Sequence, residues 1–159
     1  MIKIVAYHRG YFTALTSYVL DDEQSRFSQI PKQVLNNPDI TQNKKRFQYC
    51  ILLDEQPAGF FSLDFSTDRF VYTDNRDAVL LRALSINPAF QGKGVAKSAM
   101  LQLPDFVKRH FPKTTEIVFG VNMENESAYQ LYLKTGYLDS GNLYEGIKGP
   151  QRVMYKEIT

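Results

Sequence analysis

The chain contains no tryptophan and a single cysteine, Cys50, among its 159 residues. A lone thiol excludes an internal disulfide. The only histidines, His8 and His110, are far apart and leave no cluster with metal-ligand spacing, so no metal is expected. Cys50 falls inside an apolar run and reads as an inert core thiol. There is no run of about 18 apolar residues, which argues against a membrane-spanning helix. Residues 1–10 carry Lys3 and Arg9 but no apolar stretch long enough for a signal peptide, so the expected location is the cytoplasm. Excess charge is scarce as well: 19 basic against 17 acidic side chains leave a formal net charge of +2. The tightest basic cluster, Lys44-Lys45-Arg46, is short, stands at a strand entrance and reads as solvated. Neither a nucleic acid nor a membrane is expected as a partner on that balance. Internal repeats, low-complexity tracts and flexible linkers are absent too.

What is present describes one globular domain over residues 1–159. Hydrophobic residues make up 43% and charged residues 23%, an ordinary balance for a folded protein long enough to bury a sizeable core. Strands are predicted at residues 2–7, 47–53 and 58–65, the last two joined as a hairpin through Asp54-Glu55-Gln56. Residues 10–37 read as helical in two pieces, broken at Pro31 and ended before Pro38. A polar connection spans 66–77. Residues 78–86, AVLLRALSI, suit a central strand covered on both faces. A helix follows over 94–110, with Val95, Ala99, Leu103, Phe106, Val107 and His110 on one face; Pro104 inside it should kink or split it. Then come a strand at 116–121, a helix at 125–135, and strands near 137–142 and 153–158. The order is mixed α/β.

Chemistry concentrates in Leu84-Ser85-Ile86-Asn87-Pro88-Ala89-Phe90-Gln91-Gly92-Lys93-Gly94-Val95-Ala96-Lys97. It is a buried strand, a proline turn, a glycine-bearing loop and a helix start. Gly92 and Gly94 permit a tight turn and close backbone approach. The first helical N–H groups have no partner within the helix and, with the helix dipole, favour an anion. Lys93 and Lys97 add positive charge, so the loop reads as a phosphate seat. It is not a P-loop, because Ala96 stands where a glycine must precede the Lys-Ser pair. It is not a dinucleotide fingerprint, because Lys97 occupies the place of the third small residue.

Gln91-Gly92-Lys93-Gly94-Val95-Ala96 resembles the pyrophosphate-binding motif of the GNAT superfamily of acyl-CoA-dependent N-acyltransferases: Gln or Arg, two residues, Gly, one residue, then Gly or Ala. A second stretch, residues 121–137, resembles that family's other hallmark, an Asn opening a helix, a small residue, a Leu-Tyr pair, then Gly and an aromatic. Here these are Asn125, Ala128, Leu131-Tyr132 and Gly136-Tyr137. Independently of the resemblance, Asn125 suits an N-cap, and Gly136 a left-handed C-cap. The resemblance is strong over residues 80–141 and only a general layout before that. It implies an α/β fold with a mixed, mostly antiparallel central sheet flanked by helices, in which two parallel strands splay to admit the cosubstrate.

The same resemblance implies the roles. Backbone groups of Leu84, Ser85 and Ile86 would bond the pantetheine arm of acetyl-CoA, and one N–H there would face the thioester oxygen. Residues Gly92, Lys93, Gly94, Val95, Ala96 and Lys97, with Gln91 leading the motif, would hold the pyrophosphate. Asn125 would touch the pantetheine, and Tyr132 would act as general acid toward the leaving sulfur or, more conservatively, donate a hydrogen bond to it; core packing is its other reading. The expected activity is transfer of an acetyl group to a primary amine of a small molecule or peptide, by a monomer or homodimer. Neither the 80–86 nor the 117–120 segment holds a carboxylate, so the general base is unassigned. Two alternatives stand beside this reading: a non-catalytic acyl-CoA-binding module of the same fold, and a nucleotide-phosphate binder. Asp21-Asp22-Glu23 reads chiefly as a helix start, with attraction of a cationic amine as its other role.

Overall fold

The computed structural model describes residues 1–20 and 29–159, so Asp21, Asp22 and Glu23 lie outside the described residues. Strands β1 (Ile2–Ala6), β2 (Arg46–Leu53), β3 (Gln56–Asp64), β4 (Ala78–Ile86), β5 (Glu116–Asn122), β6 (Leu138–Gly146) and β7 (Gly149–Glu157) form one seven-stranded sheet. Its order is β1-β2-β3-β4-β5-β7-β6. All neighbours pair antiparallel except β4 and β5. That parallel pair needs a long crossover, which the helix α4 (Val95–His110) supplies. The mixed, mostly antiparallel α/β architecture expected from the sequence is the one observed.

Side-chain alternation along the strands gives the sheet two apolar faces. One face carries Ile51, Phe61, Leu63 and Val79 and is covered by Val95, Ala99, Leu103 and Val107 of α4. The other carries Cys50, Leu52 and Phe60 beneath Leu15 of α1 (Phe12–Ser17) and Val34 of α2 (Pro31–Leu35). Cys50 is fully buried, as its apolar run implied. The β2–β3 hairpin turns at Asp54 and Glu55, both at positive φ, as a two-residue loop of the primed type requires.

Several expectations need correction. The helical piece that begins at Pro31 ends at Leu35, before Pro38 as expected, but Pro38 opens a further helix, α3 (Pro38–Thr41). A proline lacks the N–H that a first helical residue would leave unpaired, so that position accepts it best. Pro104 does not split α4, which runs unbroken through it. The carbonyl that Pro104 cannot bond is that of Met100, and the buried Tyr137 hydroxyl donates to it at 2.9 Å. The proline's missing bond is thus replaced from another element. His110 shares the face of Phe106, with ring centroids 4.3 Å apart, but is exposed at the end of α4. Lys44 and Lys45 are exposed, but Arg46 is buried opposite Asp64, and burial lowers its pKa to about 10. The polar connection contains a short 3-10 turn, Thr67–Val71. The last two strands extend to meet at a two-residue turn, claiming residues 143–146 and 149–152 that read as loop.

Candidate active site

The central feature is where β4 and β5 part. Their pairing is limited to Ala78↔Glu116, Val79↔Ile117 and Leu80↔Val118. Beyond Leu80 the edge of β4 facing β5 has no strand partner. The cause lies in β4 itself. Ser62 pairs with Arg82 and Phe60 with Ser85, so Ala83 and Leu84 together oppose Phe61. Such a bulge bends its strand and increases its twist. Ala83 takes φ 57°, a left-handed conformation that costs an L-residue roughly 1–2 kcal/mol. The crevice so opened is a cavity of about 620 Å³, walled by β4 residues 80–84 on one side and by Phe119 and Gly120 of β5 on the other.

Tyr132 reaches this cavity from α5 (Glu126–Lys134), a helix fixed at both ends. The Asn125 side chain accepts from Ala128 N at its start. At its end Tyr137 N bonds Tyr132 O and Gly136 N bonds Leu133 O, with Gly136 at φ 97°. These are the two bonds of a Schellman cap. The Tyr132 ring packs edge-on against Phe119, centroids 4.8 Å apart. Its hydroxyl has no hydrogen-bond partner among the described residues, and burial pushes its pKa up to about 12.

The glycine loop lies past the end of β4. Asn87 closes the strand by accepting from Ala89 N, and a 3-10 turn, Pro88–Phe90, leads to Gln91. Gly92 and Gly94 take φ 78° and 73°, the backbone region that favours glycine. A Cβ at either would meet no atom within 4 Å, so conformation rather than space selects glycine here. Gly94 caps α4, and the first helical bond of that turn is Ser98 N to Gly94 O. The N–H groups of Val95, Ala96 and Lys97 precede it and lack intrahelical partners, while Lys93 and Lys97 are exposed beside them.

The residues singled out in the sequence are only partly brought together. Leu84 and Tyr132 line the cavity. Ser85 and Ile86 continue β4 beyond it, and the Ser85 side chain is engaged in a buried 2.9 Å hydrogen bond with the Tyr18 hydroxyl. The loop from Gln91 to Lys97 and the cap residue Asn125 lie outside its lining, the loop farther along the same strand direction. The rest of the wall includes Tyr72 from the 66–77 connection and Gln33 and Asn37 from the helical side; reasoning from the sequence missed Tyr144 and Gln151 of the last two strands. The one available signal was Gly120, a glycine inside an otherwise apolar strand, which marks close approach by another group. Arg82 also lines the cavity but is held by Asp64 and Asp68 at 2.9 and 2.8 Å. No carboxylate among the described residues lines the cavity. Glu116, at the far end of β5, accepts from Thr73 Oγ1. Among the described residues no helix is long and apolar enough to cross a membrane.

The site thus consists of a splayed parallel pair, an open helix start and a tyrosine in the cleft. The family model described as acetyltransferase (GNAT) family matches residues 12–137 of the chain. The chain belongs to the GNAT acetyltransferase family. A curated relative, the uncharacterized N-acetyltransferase YbbJ of Bacillus subtilis (strain 168), is 38% identical over 155 residues, covering 97% of this chain and 96% of the relative. Among solved structures the fold is shared with an aminoglycoside acetyltransferase, AAC(6')-Ib, in complex with coenzyme A. The TM-score is 0.79 at 15% identity, over 99% of this chain and 95% of that one. It is also shared with spermidine N-acetyltransferase from Vibrio cholerae in complex with CoA and spermine, at a TM-score of 0.73, 16% identity, and 98% and 95% coverage. This GNAT chain is thus an acetyltransferase by family, and its fold is that of both solved structures.

Proposed function

We propose that this GNAT enzyme moves the acetyl group of acetyl-CoA to a primary amine of a small molecule or peptide, by direct attack of the amine on the thioester carbon. The observation that carries the reading is the unpaired edge of β4 running toward the free N–H groups of α4. An extended pantetheine arm would add to residues Leu84, Ser85 and Ile86 as a further strand. Its diphosphate would then reach the Gln91-Gly92-Lys93-Gly94-Val95-Ala96-Lys97 turn, where dipole and lysines favour it. Asn125 would contact the arm beside its capping bond. Coenzyme A bound in both of these solved structures, with spermine also bound in one, supports a thioester cosubstrate and an amine acceptor.

In the reaction the amine nitrogen forms a bond to the acetyl carbon, the carbon–sulfur bond breaks, the electron pair stays on sulfur, and the proton that the acylated nitrogen sheds passes to water. A backbone N–H of the bulged strand would stabilise the oxygen as it gains charge. Tyr132 would donate a hydrogen bond to the departing sulfur. With its pKa near 12 against about 8.5 for a thiol, full transfer of its proton would run uphill by about 5 kcal/mol. Its role is therefore stabilisation of the thiolate, not delivery of the proton. The amine must also be neutral: an alkylamine with a pKa near 10.4 loses about 4 kcal/mol to protonation at pH 7.4.

Release of free thiol from acetyl-CoA, measured across a panel of primary amines, tests the proposal; turnover with at least one amine is expected. The absence of a lining carboxylate among the described residues favours one second reading, a binder of acyl-CoA without turnover. Thermal stabilisation by acetyl-CoA with no thiol release from any amine would select it. Stabilisation by ATP but not by CoA would overturn both.

A further inference from the structure

On the acceptor-facing side of the crevice the structure assigns a specificity-determining role to Gln151. This rests on the acyl-transfer reading above and goes beyond it to the chemistry of the acceptor. Successive residues of β5 point to opposite faces, so Phe119 turns toward Tyr132 while Gly120 turns to the other side of the sheet. The Gln151 side chain lies across Gly120. A Cβ at position 120 would collide with Gln151 Oε1, and would stand 2.9 Å from both Gln151 Cδ and Tyr72 Cε1. The other end of the carboxamide rests on Gly146, where a Cβ would be 3.0 Å from Nε2. Two glycines on different strands therefore form a trough that holds one amide.

Tyr72 fixes its orientation. The Tyr72 hydroxyl donates to Gln151 Oε1 at 3.2 Å, and the Tyr72 ring packs on Tyr144 with centroids 5.2 Å apart. All three side chains line the cavity. A primary carboxamide offers two N–H donors and two lone pairs on oxygen. Tyr72 uses one lone pair, which leaves an acceptor and a donor side by side at the mouth of the β4–β5 gap. That pair matches a ligand group with the same duality close to its amine: an amide, or a hydroxyl on the neighbouring carbon. The acceptor class is thus an amine bearing an adjacent amide or hydroxyl, in preference to a simple alkylamine. Gly120 and Tyr72 are positioning residues that act through Gln151.

The test compares glycinamide with ethylamine as acceptors, each kcat/KM divided by the neutral fraction of that amine at the assay pH. The natural protein is expected to favour glycinamide by about tenfold or more. Gln151→Ala should abolish the preference while leaving the KM for acetyl-CoA within twofold, and Gly120→Ala should reproduce that effect by displacing the amide. Tyr72→Phe, which keeps the ring, should lower the preference about threefold. Should Gly120→Ala fail to fold, the Gln151 and Tyr72 variants decide. A preference unchanged within twofold in Gln151→Ala overturns the inference, as does a loss accompanied by an equal loss of acetyl-CoA affinity. A natural protein that prefers ethylamine, or uses neither amine, overturns it while leaving acyl transfer to be judged on the wider panel.

Discussion

At Tyr132, burial opposes ionisation, and the same burial leaves the hydroxyl facing the cavity without a protein partner among the described residues. Tyr132→Phe removes that donor and keeps the ring against Phe119. Turnover is expected to fall about 10²-fold, in the range for removing one preorganised donor, with the acetyl-CoA KM within about threefold. Steady-state kinetics checks this, and unchanged kcat would remove Tyr132 from the mechanism. The raised pKa also sets a sign for pH dependence. The phenol stays protonated up to about pH 12, so the kcat/KM for an alkylamine should rise between pH 7 and 10 with the neutral amine. A descending limb near pH 10 would contradict the assignment. Gly94 is a second single-residue test. Alanine meets no clash there, so its cost is conformational alone, roughly 1–2 kcal/mol at φ 73°. Gly94→Ala should lower the melting temperature by several degrees and weaken acetyl-CoA binding, whereas asparagine, which tolerates the left-handed region, should do less harm.

At the scale of elements, α4 and α5 are joined by one hydroxyl. Pro104 deprives the Met100 carbonyl of its helical donor, and Tyr137, the residue just past the α5 cap, supplies another. Tyr137→Phe strands a buried acceptor and should cost about 1–3 kcal/mol in urea denaturation. In a Pro104→Ala background the helix can remake its own bond, so the same change should cost distinctly less; equal costs in both backgrounds would refute the coupling. This pairing also shows what was legible in the sequence. Local rules found β4, the glycine turn and both ends of α5, because strand patterning and caps are written in adjacent residues. The fate of Pro104 was not, since its compensation comes from 33 positions away along the chain, the interval from 104 to 137. Gln151 was hidden for the same reason: strands β6 and β7 grow through polar, glycine-bearing residues whose pairing depends on register, not on apolar alternation. Pro38 marked the end of the helix before it, but a boundary does not say whether another helix begins there, so α3 went unread.

For the whole molecule, burial biases several acidic groups toward their neutral forms. The Cys50 thiol is pushed from 9.0 to about 12 and the Tyr49 and Tyr132 hydroxyls from 10.0 to about 12, with Tyr18 and Tyr137 also raised by burial. In each case the folded state holds its proton more tightly than the unfolded chain. Stability from these groups is therefore fully present below pH 9 and declines as pH rises through 9 to 12. The urea midpoint should be level from pH 7 to 8.5 and then fall steeply, because the contributions act together. A midpoint that stays level to pH 11 would show that these groups are hydrated in the native state.

Among the described residues the β1–β4 side of the sheet meets the β5–β7 side through only three strand pairs, those between β4 and β5. A ligand lying along the exposed border of β4 would splint that seam, turning two leaves into one slab. Deuterium uptake should then slow at residues 81–86 on adding acetyl-CoA, with protection spreading into residues 116–122, while the β2–β3 hairpin exchanges at its former pace.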